Sequence, residues 1–208
     1  GLAPSTHSGM SARAGSGGEA ASLDIPVYNG RYSTNCYIDE IHRALDDLYS
    51  RSSLSPAAHL RSLEAVFMHR PYQRMPETGL GLAYLFALAG GDSADRDELA
   101  RYSRGAGLAV EEVIAEMHAE PELNQLAVQA RIHEEVFPLS MTVLKAFRQS
   151  EAFSQQVLGK MTLGSEWMRE VGNLYTGALP AWLAAGFADA RQRGIELAGK
   201  ELLAIGYG

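Results

Sequence analysis

Two residues stand where side-chain chemistry could be done. His69 ends an all-apolar run, Ala65-Val66-Phe67-Met68, and is followed at once by Arg70-Pro71-Tyr72. Such a short apolar run reads as a strand buried on both faces, as in a parallel sheet. Pro71 then starts a new element, expected to be a helix. An imidazole at the carboxyl end of a buried strand stands where open α/β sheets place their ligands. A near-neutral pKa lets it give or take a proton at working pH. The same position also suits a histidine that only closes the strand through backbone bonds. Asn173 lies in Gly172-Asn173-Leu174-Tyr175-Thr176-Gly177, a small polar loop before an apolar helix from Ala178 to about Ala190. It would sit just outside a helix N-terminus, near the positive end of the dipole. It is either a capping residue or an amide donor aimed at a carbonyl oxygen, and position alone favours the cap.

These residues need elements to hold them. Asp24-Ile25-Pro26-Val27-Tyr28 reads as extended and ends in an Asn29-Gly30 turn. A helix follows from about Ser33 to Ser50, with Tyr37, Ile38, Ile41, Ala44, Leu45 and Leu48 on its apolar stripe. Asp39, Glu40, Arg43, Asp46 and Asp47 fill its other face. Cys36 lies beside the stripe and reads as a packed thiol rather than a nucleophile. Ser55-Pro56 opens a short helix that leads to the 65–69 strand. A Leu/Ala-rich helix then covers about 72–90 and ends at Gly90-Gly91. Residues 93–149 read as consecutive helices punctuated by Pro121 and Pro138, with His118 and His133 as surface or helix-end histidines. Pro180 is tolerable only in a first helical turn. The last helix runs into Gly194, and a closing strand covers 200–206. The fold class expected is α/β with a helical insertion at about 93–149.

Composition narrows the function classes. The chain has 208 residues, 46% of them hydrophobic, enough for one domain with a real core. A net charge of −7 argues against nucleic acid as a partner. One cysteine excludes an internal disulfide framework and fits a reducing, cytoplasmic setting. No apolar run approaches the ~20 residues that span a bilayer, so no membrane partner is expected. No HExxH, CxxC or paired-His spacing occurs, so no metal is expected. Residues 1–24 are Gly/Ser-rich and read as a flexible loop or linker, with the domain over 25–208. The chain begins at Gly1 rather than Met and stops on the rim of a strand, so a piece of a longer protein is expected.

Four blocks carry a resemblance. They are Val27-Tyr28-Asn29-Gly30-Arg31-Tyr32-Ser33 with Cys36-Tyr37; Phe67-Met68-His69-Arg70-Pro71-Tyr72-Gln73-Arg74; Gly172-Asn173-Leu174-Tyr175-Thr176; and Leu197-Ala198-Gly199-Lys200 leading to Gly206-Tyr207-Gly208. In this order, over roughly 24–208, the chain resembles the C-terminal half of hydroxymethylglutaryl-CoA (HMG-CoA) synthases, thiolase-fold acyltransferases, and most of all their bacterial branch. The resemblance implies the C-terminal half of a thiolase-like fold. It implies condensation of acetyl-CoA with acetoacetyl-CoA through an acetyl-cysteine, with CoA thioesters as substrates and no further cofactor. It makes His69 the catalytic histidine that polarises or protonates the acetoacetyl carbonyl. It makes Asn173 the asparagine that contacts the acetoacetyl group. Arg74 takes the place of a CoA-binding lysine, and a cation there suits the phosphates of CoA. Pro71, Tyr175 and Tyr207, from the same blocks, are expected beside the pocket, Tyr175 chiefly as a packing residue.

The match also shows what is missing. A second family lysine, four residues after the first, is Thr78 here, which puts one phosphate contact in doubt. The family's nucleophilic cysteine and its glutamate lie in an N-terminal half outside this chain, and Cys36 matches a different cysteine. The chain alone is therefore expected to be inactive. Its expected partners are that N-terminal half and, for complete protomers, a second copy in a homodimer. Two alternatives stand beside this reading. One is a related enzyme of polyketide β-branching that takes a carrier-protein-bound acetoacetyl group, which lost phosphate contacts would favour. The other is a non-catalytic interaction module on the same scaffold, with 93–149 as its contact surface.

Overall fold

The computed structural model describes residues 30–119, 134–171 and 174–207. The expected extended stretch at 24–28, Pro121, His133 and Asn173 lie outside these residues. The fold is mixed α/β, mostly helical around one small parallel sheet.

The sheet is the pivot. β1 (Ala65–Met68) pairs in parallel with β2 (Leu202–Ile205), with Ala65 opposite Leu202 and Met68 opposite Ile205. Every β1 residue is buried, as an uninterrupted apolar run requires. Two strands of four residues cannot hold themselves together in water, so helices must cover them. The backbone ladder runs past both strand ends: the Glu64 N–H donates to the Glu201 carbonyl and the His69 N–H to that of Ile205, both at 2.9 Å.

α1 (Gly30–Ser50) buries Tyr37, Ile38, Ile41 and Leu45 as the apolar spacing predicts. The buried face is rotated from the expected one, however. Ala44 and Leu48 are exposed, while Asn35 and Asp39 are buried. One long-range polar contact goes with the rotation, the Asn35 amide donating to the Glu134 carbonyl at 2.7 Å, while Asp39 accepts from Arg43 one turn along the same helix at 2.9 Å. The helix also starts at Gly30, a turn earlier than expected.

α2 (Pro56–Ser62) opens with the expected proline, although the Ser55 side chain makes no capping bond. Its last carbonyls are closed from afar by Lys160, whose Nζ donates to the Arg61 oxygen at 2.9 Å and to the Leu63 oxygen at 2.5 Å. α3 (Arg74–Ala89) is buried along almost its whole length and ends at Gly90. Its first residue is Arg74, so Pro71 stands in the loop before the helix and does not open it. The loop keeps three residues between His69 and the helix-leading Gln73, and this exposes Tyr72.

The 93–149 segment is helical where described. α4 (Ser93–Gly105) starts in a full capping box between Asp92 and Asp95. α5 (Val110–Met117) and α6 (Pro138–Phe147) follow, and the Glu116 carboxylate accepts from the Leu139 and Ser140 N–H groups at the start of α6. His118 is the exposed cap at the end of α5, as expected of a helix-end histidine. Arg61 ties this layer to the sheet side, bonding Asp95 at 2.6 Å, Glu98 at 2.9 Å and the Tyr84 hydroxyl at 3.1 Å.

α7 (Glu151–Phe153) widens into a π-helical stretch (Ser154–Leu158) and tightens into a 3-10 turn (Gly159–Met161), which delivers Lys160 to α2. α8 (Ser165–Val171) and a 3-10 turn (Tyr175–Gly177) lead to α9 (Ala178–Arg193). Pro180 lies in the first turn of α9, and Gly194 ends it with φ +68°. α9 reaches β1 because position 186 is glycine: a Cβ there would run into the Phe67 ring. Among the described residues no helix is long and apolar enough to cross a membrane.

Candidate functional site

The parallel register brings residues from distant parts of the chain to one rim. His69 leaves the carboxyl end of β1 and Tyr207 leaves that of β2, and their rings lie 5.7 Å apart. The Tyr37 hydroxyl of α1 donates to the His69 carbonyl at 2.7 Å, and its ring meets Tyr207 edge-on at 5.4 Å. The backbone of His69 is thus held on both sides, by Tyr37 and by Ile205. The residue is buried, and its ring makes no hydrogen bond among the described residues, although its nitrogens are not closed off from solvent. A histidine that merely closed the strand would spend its ring nitrogens on nearby backbone. Here the ring packs beside Tyr207, and its nitrogens are not bonded to nearby backbone among the described residues.

Burial pushes the His69 pKa below its usual value, so the neutral imidazole prevails at neutral pH. A lowered folded-state value means that the unfolded chain binds the proton first as pH falls. Stability from this group is complete above the unfolded value, about 6.5, and declines as pH drops through the window beneath it. His42 is shifted the same way by burial. Acidification from pH 7 to 5 should therefore lower the melting temperature, and His69→Gln should flatten that dependence. An unchanged slope in the variant would refute the buried-neutral assignment.

Burial also raises the Tyr37 and Tyr207 hydroxyls above their usual range, so both remain protonated donors. Cys36 is half-buried nearby, and burial raises its thiol too, which fits a packed thiol and not a nucleophile.

Beside this rim opens a cleft of about 1000 Å³. Arg70, Tyr72 and Arg74 line it, while His69 and Pro71 do not. Arg70 is buried and bonded to the Ser165 hydroxyl at 3.1 Å, with its guanidinium 5.0 Å from the centre of the Trp182 ring. Arg169 and Arg193 on the same walls are paired with Glu166 and Asp189. Arg70 and Arg74 have no ion-pair partner among the described residues.

Thr78 is buried one turn into α3, where its hydroxyl donates to the Arg74 carbonyl at 2.8 Å and accepts from Arg148 Nη2 at 2.7 Å. A cation from the end of α6 therefore stands at the position where sequence offered only a threonine. Burial, with Arg74 nearby, lowers the Arg148 pKa. Sequence reasoning missed Arg148 because 70 residues separate it from Thr78, and no local spacing reveals such a contact. It missed Tyr37 as a support for His69 for the same reason.

Tyr175 corrects another expectation. It is 75% exposed rather than packed, and it is the one non-glycine among the described residues with positive φ, +51°. The 3-10 turn that carries it ends in Gly177 immediately before α9, which leaves its ring outside. No family model, curated protein or solved structure matches the chain.

Proposed function

We propose that the chain is the histidine-bearing half of an HMG-CoA synthase-type acyltransferase with a thiolase-like fold. The observation that supports this reading best is convergence. Three of the four resembling blocks, contributing Tyr37, His69 and Tyr207, meet at the carboxyl rim of the parallel pair. In this reading the acetyl group is carried on a cysteine of the N-terminal half, and a glutamate there supports removal of its methyl proton. The resulting carbanion adds to the ketone of acetoacetyl-CoA, whose oxygen takes up the negative charge. The neutral His69 ring donates an N–H hydrogen bond to that oxygen and stays neutral, and the proton that completes the tertiary alcohol is the one the glutamate took from the methyl. Asn173 supplies a second donor. Water then releases HMG-CoA from the cysteine.

Arg74 and Arg148, both on or beside the first turns of α3, bind the phosphates of CoA. Arg148, bonded to Thr78, supports CoA as the substrate in this reading, with the carrier-protein substrate as the alternative. Exposed Trp167, Val171, Leu174 and Phe187, on or next to α8 and α9, offer apolar surface for the N-terminal half.

The test is to express the complete reading frame around this chain and assay release of free CoA from acetyl-CoA plus acetoacetyl-CoA. Activity that needs the upstream half supports the reading; normal activity from 1–208 alone defeats it. In the complete enzyme, Arg74→Ala and Arg148→Ala should each raise KM for acetyl-CoA about tenfold, the scale of one charge-assisted hydrogen bond. Unchanged KM in both variants would remove CoA from this wall.

A further inference from the structure

The arginine-lined cleft holds a cation that lacks a counter-charge. Arg70 follows His69 at the end of β1 and is only 6% exposed. A charge so far out of water is costly unless an opposite charge meets it. Among the described residues no carboxylate lies within ion-pair distance of Arg70. Burial, with Arg169 nearby, lowers its pKa, as expected of a cation short of counter-charge.

Two contacts fix the guanidinium. Its Nη1 donates to Ser165 Oγ at 3.1 Å, and its plane lies against the Trp182 ring. Nε and Nη2 have no partner among the described residues, and neither is closed off from solvent. Together they form the side edge of the fork, whose parallel N–H groups match the two oxygens of a carboxylate. The cleft, about 1000 Å³, leaves room for a small molecule.

The surrounding charge selects among anions. Four arginines and three carboxylates line the cleft, a surplus of one positive charge. Arg169 and Arg193 are engaged with Glu166 and Asp189. Glu77 and Glu166 act on Arg70 from beyond bonding distance, so a ligand with one negative charge suits the wall better than one with two. Tyr72 and Trp167, both exposed, line the same cleft and offer ring surface. Arg148 is influenced by Arg74 and Arg70 by Arg169, so Arg70 stands apart from the pair that binds CoA phosphates in the proposed function.

We propose that Arg70 anchors a second ligand site in this cleft, taking a small monocarboxylate on a planar apolar body. The carboxylate accepts from Nε and Nη2, and the body packs against Tyr72 and Trp167.

Both tryptophans of the chain line the cleft, so their fluorescence reports on it. The experiment titrates the full chain with benzoate, with its neutral isostere benzamide and with the dianion phenyl phosphate. The expected result is a saturable change with benzoate, binding of benzamide at least about tenfold weaker, and phenyl phosphate weaker than benzoate. Arg70→Met should remove the preference for benzoate over benzamide. Arg70→Lys keeps the charge without the fork and should weaken benzoate about tenfold, and it decides the matter if Arg70→Met does not fold. No saturable change, equal affinity for benzoate and benzamide, tighter binding of phenyl phosphate, or unaltered benzoate binding in a folded Arg70 variant would each overturn the proposal. None of these readouts depends on acyltransferase activity.

Discussion

Replacing His69 by alanine in the complete enzyme should lower the rate of condensation about 100- to 1,000-fold, the usual cost of losing one donor to a developing oxyanion. The loss should fall on kcat, because His69 does not line the arginine-walled cleft that holds the CoA phosphates in the proposed function. Acetylation of the nucleophile belongs to the other half and should survive, seen as a normal burst of CoA from acetyl-CoA alone. His69→Gln keeps an N–H donor and should recover part of the loss. The lowered His69 pKa adds a pH signature: the rate should hold from neutral pH down through about 6.5 and fall only when the imidazole protonates. A His69→Ala enzyme that kept more than a tenth of normal kcat would sink the catalytic role.

The second large effect is structural. Phe67 is 1% exposed, meets Trp182 edge-on at 5.8 Å and lies nearly parallel to Phe187 at 6.4 Å. Phe67→Ala should cost about 3–5 kcal/mol, from lost burial plus the cavity left in a rigid surround. For a domain of this size that is a fall in melting temperature of roughly 6–20 °C. The companion test is Gly186→Ala, whose new methyl would strike the Phe67 ring and should cost about 1–3 kcal/mol. The two sites share one space, so their effects should not add, and Gly186→Ala should be far milder in a Phe67→Ala background. Strict additivity in calorimetry would mean that α9 does not rest on β1 in this way. Because β1 ends in His69, the same variants should also perturb the site.

The sequence alone determined what depends on near neighbours. The fully apolar run Ala65–Met68 read as a strand covered on both faces, which it is, and it left His69 at the strand's carboxyl end. Pro56, Pro138, Pro180 and Gly194 marked helix ends because each acts through its own φ or missing N–H, whatever surrounds it. The tertiary structure decided the rest. Nothing local to α1 says that Asn35 turns inward and Ala44 outward, since the Asn35 amide meets the Glu134 carbonyl from far along the chain. Nothing local to α3 says that Thr78 meets an arginine from α6. Nor does periodicity say that Tyr37 braces His69, or that Tyr207 faces it from the neighbouring strand. Those contacts join residues 32 to 138 positions apart, and only chain closure around the β1–β2 register selects them. Local pattern sets which way a residue can face; which group it meets there is set by the elements that close the remaining space.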